Sequence, residues 1–386
     1  MKLLAATSSF PTATSPTAGS FIAQWRSNLE ARGHDIDVFR SDHTNGKATD
    51  PLFQRWGPLL KGNGAPEYLD DRTLQNIYAI SVQTARIYWD YSQVPKPHDL
   101  TVGHWLLPWG LLPKGGGALH LYAHGSDVSL LERLPKRLSR SMARQIVKNT
   151  QGITFVSQDL SDRFKALLDA EWGCERTVLP MGVQRSLPDQ DYFDHLVATE
   201  PNTFTITTLG RLVPIKGIDT LIRALKGISG CRLLVTGDGP EKAHLVRLAK
   251  QLGVNTRFLG HVNAAQRESV MCHTNLFVQP SRVLNGRQEG CPVSLLEALD
   301  AGVPALMSAT GGMREISAKT GLMCIEPNRV ATLRDAIKRH LSDKVFRQEQ
   351  TRMAEQQLNQ WAWSSVIDHH EKALLASCAP TAQPQE

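Results

Sequence analysis

Short hydrophobic runs alternate along this chain with longer segments in which apolar residues recur every three or four positions. Runs of the first kind predict buried strands, and segments of the second kind predict amphipathic helices. Near the start, residues 2–6 form such a run, residues 21–32 form an amphipathic segment, and residues 35–39 form the next run. Gly33 tolerates a left-handed backbone and is expected to end the helix. This order predicts a βαβ unit with parallel strands.

The same alternation restarts after residue 203. The predicted strands cover 204–209, 231–236, 256–259 and 276–279, and the predicted helices cover about 219–225, 243–252, a segment before residue 276 and a segment after Pro292. The chain is therefore predicted to contain two α/β domains. The acidic, proline-flanked segment 189–202 is the predicted linker, and the tail 379–386 is predicted to be disordered.

Composition narrows the class of protein. The 386 residues are 41% hydrophobic and 21% charged, which is typical of a globular protein with apolar residues enough for two cores. No apolar run is long enough to cross a membrane, and the start lacks the features of a signal peptide. Six cysteines occur without a CxxC pair, so a cytoplasmic protein without a zinc site or disulfides is expected. The net charge of +6 suits an anionic substrate or an acidic membrane surface, and no nucleic-acid-binding motif accompanies it.

The sharpest functional signal is a pair of glutamates, Glu289 and Glu297, on either side of a predicted helix start at Pro292. The first amides of such a helix are suited to bind a phosphate. One carboxylate is then placed to face a sugar and the other a ribose, with a pyrophosphate between them. By itself, such a pair is more typical of a capped helix with two solvated acidic side chains. Other motifs must therefore decide whether this pair binds a ligand.

Further candidates follow other strands of the same domain. Arg211 and Lys216 lie on a glycine-bounded loop after the first strand, and α/β proteins bind ligands at the carboxyl ends of parallel strands. A guanidinium and an ammonium there suit a pyrophosphate, although two cations on a loop also serve solubility alone. Val262 follows another strand and is placed to offer backbone groups to a base.

Together these segments resemble the GT4 family of retaining glycosyltransferases, also called glycosyltransferase group 1, whose members have the GT-B fold. The matching segments are Gly210-Arg211-Leu212 with Lys216-Gly217, Gly237-Asp238-Gly239-Pro240, Phe258-Leu259-Gly260, Glu289 to Glu297, Ala301-Gly302-Val303-Pro304 and Gly311-Gly312-Met313-Arg314-Glu315. The resemblance implies two Rossmann-like domains that face each other across a cleft. Residues 1–188 would form the acceptor-side domain and residues 189–361 the nucleotide-sugar-binding domain, with a helix at about 362–378 crossing back to the first domain.

The resemblance also implies roles for the second domain. Arg211 and Lys216 would hold the donor diphosphate, Glu289 would contact the sugar hydroxyls, and Glu297 would bind the ribose. The remaining implied donor contacts come from the backbone of Val262, Gly290, Cys291, Pro292, Val293 and Ser294.

The first domain matches the family more loosely. Gly19 resembles the glycine of the family's first loop, whose amide approaches the donor phosphate, and Ala18 stands where many members have a second glycine. Residues 120–127 resemble the strand and loop that end in the family's active-site histidine, which makes His124 the candidate. A second histidine, His104, has two interpretations: it helps shape the acceptor site, or it is a packed residue beside a tryptophan. Loops such as 41–75 are expected to select the acceptor.

No Asp-x-Asp cluster accompanies the donor motifs, so cationic side chains and helix dipoles, rather than a metal ion, are expected to meet the charge on the leaving diphosphate. The resemblance implies retention at the anomeric carbon by front-face attack. We therefore expect no metal and no cofactor, with a UDP- or GDP-linked sugar as substrate. The expected acceptor is a glycan or a polyprenyl-diphosphate-linked glycan in cell-surface polysaccharide or glycolipid biosynthesis.

Residues 131–148 predict a basic amphipathic helix. Its cations are Arg133, Lys136, Arg137, Arg140, Arg144 and Lys148, and the opposite side carries Leu131, Leu134, Leu138, Met142 and Ile146. One interpretation is a surface helix with a solvated outer face. The other is docking on anionic lipid, which adds the inner face of the membrane to the expected cytoplasmic location.

Two other function classes share part of this pattern. A non-catalytic nucleotide-sugar-binding protein would keep Arg211, Lys216 and Glu297 but has no need of Glu289 and His124, and both are present. A sugar-nucleotide epimerase of the same fold has its catalytic acids elsewhere, and its pattern is not found. Catalysis of glycosyl transfer is therefore favoured.

Overall fold

The computed structural model describes residues 1–11, 18–40, 87–94, 98–112, 117–198 and 203–378. The chain divides into two units, one of Met1–Pro180 with Ile367–Glu386 and one of Met181–Val366. The predicted acceptor loop 41–75 and the predicted tail 379–386 lie outside the described residues.

The first unit is built on a six-stranded parallel sheet with the order β2-β1-β3-β4-β5-β6. Its strands are β1 (Lys2–Thr7), β2 (Asp35–Arg40), β3 (Leu100–His104), β4 (Ala118–Ala123), β5 (Gly152–Phe155) and β6 (Glu175–Val178). Its first four named helices are α1 (Ser20–Glu30), α2 (Ser126–Glu132), α3 (Lys136–Asn149) and α4 (Gln158–Leu168). Strands such as β5 are buried along their whole length, as parallel strands covered on both faces are.

The second unit has a six-stranded parallel sheet with the order β12-β11-β10-β7-β8-β9. Its strands are β7 (Phe204–Leu209), β8 (Cys231–Thr236), β9 (Thr256–Gly260), β10 (Leu276–Gln279), β11 (Ala305–Ser308) and β12 (Cys324–Ile325). Its helices are α5 (Gln190–Ala198), α6 (Ile218–Leu225), α7 (Lys242–Leu252), α8 (Ala264–Cys272), α9 (Val293–Asp300), α10 (Gly312–Thr320), α11 (Val330–Ser342) and α12 (Lys344–Glu355). The two predicted α/β domains are therefore present.

The last helix, α13 (Trp363–Cys378), starts in the second unit and belongs to the first unit from Ile367 onward. Its carboxylate Glu371 pairs with Arg32 at 2.6 Å and with His34 at 2.7 Å, on the segment that joins α1 to β2. The helix therefore returns to the first unit, as the resemblance implies.

The predicted ends of the elements differ in places from the structure. Strands 204–209, 231–236 and 276–279 match residue for residue. The first predicted helix ends at Glu30 with a right-handed cap at Ala31, so Gly33, with a φ of 89°, forms the following turn and not the cap itself.

The predicted linker 189–202 is wrong for most of its length, because Gln190–Ala198 forms α5. Its Leu196 is fully buried against Leu234 of β8 and Val270 of α8, which supplies the hydrophobic driving force for the helix. The two units divide between Pro180 and Met181, earlier than the predicted residue 188, since the amide of Val183 donates to the carbonyl of Trp361 in the second unit.

The predicted basic helix 131–148 is two helices, α2 and α3, separated at Pro135. Proline lacks the N–H that a helix interior requires, and its ring clashes with the preceding turn. The buried face of α3 also differs from the predicted one, because Ser139, Ala143 and Ile146 are buried while Leu138 is 48% exposed. The glycine of the 3₁₀ turn Trp109–Leu111 lets α3 pack closely on that turn, because a Cβ at Gly110 would lie 3.0 Å from Cγ1 of Ile146.

Candidate functional site

The second sheet reverses its strand order between β7 and β10. From β7 the chain goes to β8 and β9 on one side, and then returns to β10, β11 and β12 on the other. Loops that leave such a point in opposite directions open a crevice at the carboxyl edge, where α/β proteins bind ligands. Lys216 follows β7, Glu289 follows β10, and their Nζ and Oε1 atoms lie 2.8 Å apart. The structure thus brings two predicted site residues together at the switch point.

The Lys216–Glu289 pair is mostly shielded, with the two side chains 17% and 15% exposed. Its loop is tied down by Arg282, whose amide donates to the carbonyl of Ile215 at 2.9 Å and whose guanidinium bonds to Asp219. Arg282 was not among the predicted residues. The half-buried Arg211 lies at the start of the same loop.

Gly311 fixes the position of the Glu289 loop. Its φ is 49°, and a Cβ at this position would lie 1.9 Å from the carbonyl oxygen of Glu289. The next amide, that of Gly312, donates to the carbonyl of Gly290 at 2.9 Å. Only glycine allows this conformation and this approach, so the glycine pair after β11 serves to position Glu289 and Gly290.

Helix α9 starts where the sequence predicts, with Pro292 as its N-cap residue. The amides of Val293 and Ser294 form its first turn, the position at which helices bind anions. The Ser294 hydroxyl lies 3.2 Å from Oε1 of Gln279 and donates to it, which leaves the amide as the group suited to a ligand. Burial raises the pKa of the Cys291 thiol to about 12, so this cysteine is a packed thiol and not a nucleophile.

Glu297 lies further along α9, and its Oε1 is 3.3 Å from Nε of Arg267 on α8. The carboxylate is 13% exposed, and its burial raises the pKa of Glu297 while Arg267 opposes that rise. The sequence did not predict the role of Arg267, because no pattern in its own segment indicates that it pairs with a residue of α9. Val262, which precedes α8, is 8% exposed, and its backbone contact with a base stays a prediction.

In the first unit the strand order reverses between β1 and β3. Gly19 lies at the N-terminus of α1, on the loop that follows β1. Its φ is 61°, and a Cβ here would lie 2.2 Å from the carbonyl oxygen of Ser9. The predicted donor-loop glycine is therefore required by the backbone itself.

His124 follows β4 and is enclosed by rings. Its centroid lies 5.0 Å from that of Phe21 and 5.1 Å from that of Trp105, and its Nε2 is 3.2 Å from Nδ1 of His104. Burial lowers the pKa of His124 to about 3, so the ring is neutral near pH 7. Trp105 has a φ of 78°, which is rare for a bulky residue and is found where the surroundings hold the backbone firmly.

A row of stacked rings runs from His124 into the core of the first unit. It continues through His104 and Tyr122 to His370 of α13, with successive interplanar angles of 15°, 17° and 19°. Nε2 of His370 donates to the carbonyl of Pro180, because a carbonyl can only accept. Its Nδ1 therefore accepts from the Tyr122 hydroxyl at 2.9 Å. His104 is fully buried, which favours a packed residue beside His124 over an exposed part of an acceptor site.

The loops that follow β3 and β4 share one buried carboxylate. Asp127, 4% exposed, accepts hydrogen bonds from the amides of Leu106 at 2.8 Å and Gly125 at 2.9 Å. Asp127 thus holds together the loop that follows His104 and the loop that carries His124. It was predicted only as part of a matching segment, without a role.

Within the ranges described above, no three or more His, Cys, Asp or Glu side chains are grouped so that they could hold a metal ion. None of the described helices is long and apolar enough to cross a membrane. Whether the site works without a metal stays a prediction.

Residues 194–359 match the family described as glycosyl transferases group 1. Over 247 residues the chain is 30% identical to the GDP-mannose-dependent monoacylated alpha-(1-6)-phosphatidylinositol monomannoside mannosyltransferase of Corynebacterium glutamicum, an alignment that covers 61% of this chain and 64% of that protein. Over 238 residues it is 32% identical to the GDP-mannose-dependent alpha-(1-6)-phosphatidylinositol monomannoside mannosyltransferase of Mycobacterium tuberculosis, covering 57% and 60%. The chain thus spans less than two thirds of the length of these relatives.

The solved structure of sucrose-phosphate synthase from Thermosynechococcus elongatus has the same fold. It superposes with a TM-score of 0.72 over 98% of this chain and 100% of that chain, at 16% identity. The predicted GT-B fold is confirmed.

Proposed function

We propose that this chain, whose residues 194–359 match the group 1 glycosyl transferases, transfers a sugar from a nucleotide sugar to a glycan or lipid-linked glycan. The observation that carries the proposal is the contact of Lys216 with Glu289 at the switch point of the second sheet. An ammonium for a diphosphate and a carboxylate for sugar hydroxyls are the two groups that a nucleotide-sugar site needs. They lie beside a helix N-terminus suited to phosphate.

Donor binding would replace the Lys216–Glu289 contact with two contacts to the ligand. Lys216, with Arg211 on the same loop, donates to the diphosphate, and Glu289 accepts from the sugar hydroxyls. Glu297 accepts from the ribose, and the amides of Val293 and Ser294 point to the phosphate. From the first unit, the amide of Gly19 and the ring of His124 take part in donor binding and transfer.

The proposed transfer retains the configuration at the anomeric carbon. The bond from that carbon to the diphosphate oxygen breaks, and the acceptor oxygen forms its bond on the same face of the sugar. The acceptor's proton goes to the departing phosphate oxygen, so no protein base is needed. Lys216, Arg211 and the N-terminus of α9 meet the charge that develops on the diphosphate, which makes a metal ion and any other cofactor unnecessary.

The names of the two bacterial relatives specify GDP-mannose as donor and a phosphatidylinositol mannoside as acceptor. We therefore give GDP-mannose priority among the donors and a lipid-linked glycan, including a polyprenyl-diphosphate-linked one, priority among the acceptors. The work would lie in glycolipid or cell-surface polysaccharide biosynthesis.

Helix α3 supports a membrane-associated location. Leu138 is 48% exposed on it, and Lys136, Arg137 and Lys148 are exposed on the same helix. Exposed cations around an apolar side chain suit the surface of an anionic membrane. The proposed location is the cytoplasm and the inner face of the membrane.

The decisive experiment measures thermal stability with UDP, GDP, ADP and their sugars, and then assays transfer with each stabilising donor. A ligand at a hundred times its dissociation constant should stabilise the folded state by about 2.7 kcal/mol. We expect GDP-mannose to stabilise most and transfer to continue in EDTA. Stabilisation without turnover on any lipid-linked acceptor would favour the non-catalytic alternative, and loss of transfer in EDTA with rescue by Mg²⁺ would refute the metal-free proposal.

A further inference from the structure

His104 is a fully buried histidine with one hydrogen-bonding partner in the described part of the chain. Its Nδ1 lies 3.2 Å from Nε2 of His124. Its Nε2 is buried and has no partner there. A buried polar atom without a partner costs free energy, so its retention at a candidate site needs a physical reason.

The surroundings of His104 leave its ring no other position. It lies opposite Tyr122 in the register of β3 and β4 and stacks on that ring at 5.1 Å. Trp25 packs edge-on against it at 4.9 Å, and the indole of Trp109 donates to its carbonyl at 3.0 Å. A ring held on several sides keeps its nitrogens in fixed positions, which is what a residue that orients a neighbour requires.

The hydrogen bond between the two histidines has two versions. Burial lowers the pKa of both rings, so each carries one proton near pH 7. If His124 donates, the proton of His104 is on its buried Nε2, which becomes an N–H without an acceptor among the described residues. If His104 donates, the buried Nε2 of His104 is an unprotonated nitrogen, and the N–H without a partner among the described residues is instead that of Nδ1 of His124, a residue that is partly exposed. Orphaned buried N–H groups are rarer than under-used acceptors, so the second version is favoured.

We propose that His104 is a positioning residue, which donates from Nδ1 to Nε2 of His124 and thereby fixes the tautomer of His124 with its proton on Nδ1. That Nδ1 makes no hydrogen bond to the described residues, so its N–H is available to a substrate oxygen. The catalytic consequence rests on the proposed function, whereas the tautomer is a property of the protein alone.

The consequence for transfer follows from the fixed proton. Without His104, the His124 ring can carry its proton on either nitrogen or rotate, and only part of the enzyme then presents a donor to the substrate. A wrong tautomer at a histidine that acts on the substrate lowers kcat while leaving remote binding contacts in place. The Lys216 and Glu289 contacts are made by the second unit and are unaffected, so KM should change little.

The test uses the full chain with ¹⁵N-labelled histidine and reads the protonation of each ring by long-range ¹H–¹⁵N correlation. In the unsubstituted protein at neutral pH, we expect His124 with its proton on Nδ1. His104→Phe keeps the stacked ring and removes the hydrogen bond, so His124 should become a mixture of tautomers and kcat should fall about tenfold or more. His104→Asn places an amide nitrogen near the former Nδ1, and we expect it to restore the tautomer and most of kcat.

His120→Gln is the matched control. His120 is also fully buried on β4, but it hydrogen-bonds to Thr154 and Ser377 and not to His124. This substitution should lower the stability of the protein and leave the tautomer of His124 unchanged. Its kcat should stay within about twofold of that of the unsubstituted protein.

Two results would overturn the proposal: the unsubstituted protein carries the His124 proton on Nε2, or His104→Phe leaves the tautomer unchanged. The first measurement needs no variant, so it holds even if His104→Phe fails to fold. If no donor supports transfer by the unsubstituted protein, the proposed function fails while the measured tautomer still decides the role of His104.

Discussion

The carboxyl edges of the two sheets carry different chemistry. In the second unit, Lys216 with Glu289 and Arg267 with Glu297 form ion pairs whose side chains are 13% to 17% exposed. In the first unit, His124 stacks on a row of buried rings, His104 and Tyr122, and is neutral near pH 7. A partly exposed ion pair can exchange its partner for a charged ligand, whereas a buried ring cannot move without opening the core. Under the proposed function, we therefore expect the ion pairs of the second unit to exchange their partners for the substrate and the rings of the first unit to hold His124 in a fixed geometry.

The largest expected effect is the loss of the charged groups of the second unit. Glu289→Ala, Lys216→Ala and Arg211→Ala should each lower kcat/KM by about 100-fold or more, because each removes a charge that contacts the donor in the transition state. Steady-state transfer assays with the donor that stabilises the protein would measure this loss of kcat/KM. Melting temperatures near that of the unsubstituted protein would exclude unfolding as the cause.

Lys242→Ala is the matched control for these three variants. Lys242 also forms an ion pair in the second unit, with Asp238 at 2.6 Å, but the two side chains are 41% and 37% exposed and lie on α7 and the loop before it. An exposed pair contributes about 0 to 1 kcal/mol, so transfer should change by a few-fold at most. Equal losses in Lys242→Ala and Lys216→Ala would remove the distinction between a binding pair and an ordinary surface pair.

The second effect concerns the neutral rings of the first unit. Burial lowers the pKa of His120 to about 3 from its ordinary 6.5, so the unfolded chain takes up a proton at pH values where the folded chain does not. The free energy of unfolding therefore falls as the pH drops from 6.5 toward 3, and this one group accounts for about 2 kcal/mol at pH 5. Burial also lowers the pKa values of His104, His124 and His370.

Hydrogen exchange of first-unit peptides in urea at pH 7 and pH 5 would measure this effect. His120→Gln should reduce the difference between the two pH values by about 2 kcal/mol, since glutamine takes up no proton. The exposed His244, replaced by Gln, is the matched control, because it is solvated in the folded chain as well. An unchanged pH dependence in His120→Gln would contradict the neutral-ring account of the first unit.

The same two regions differ in how far the sequence could predict them. The strands of the second unit and the edge that carries Lys216 and Glu289 follow from local patterns, because hydrophobic runs and glycine loops are read one segment at a time. Arg267 and Asp127 could not be predicted in their roles, since each acts through a partner on another element. Pro135 was a local signal that the predicted helix 131–148 overlooked, because the basic periodicity continues across it.

The smallest expected effect concerns the binding of the first unit to an anionic membrane through α3. Sedimentation with phosphatidylglycerol vesicles should exceed that with phosphatidylcholine vesicles, and Arg137→Ala should weaken the difference about fivefold, which corresponds to about 1 kcal/mol per cation near an anionic surface. Leu138→Ser should weaken binding through its lost apolar contact. Arg352→Ala, an exposed arginine of α12 in the second unit, is the control and should leave sedimentation unchanged. Equal sedimentation with both lipids would mean that the exposed cations of α3 only face the solvent. The two units would then differ only in the chemistry of their sites.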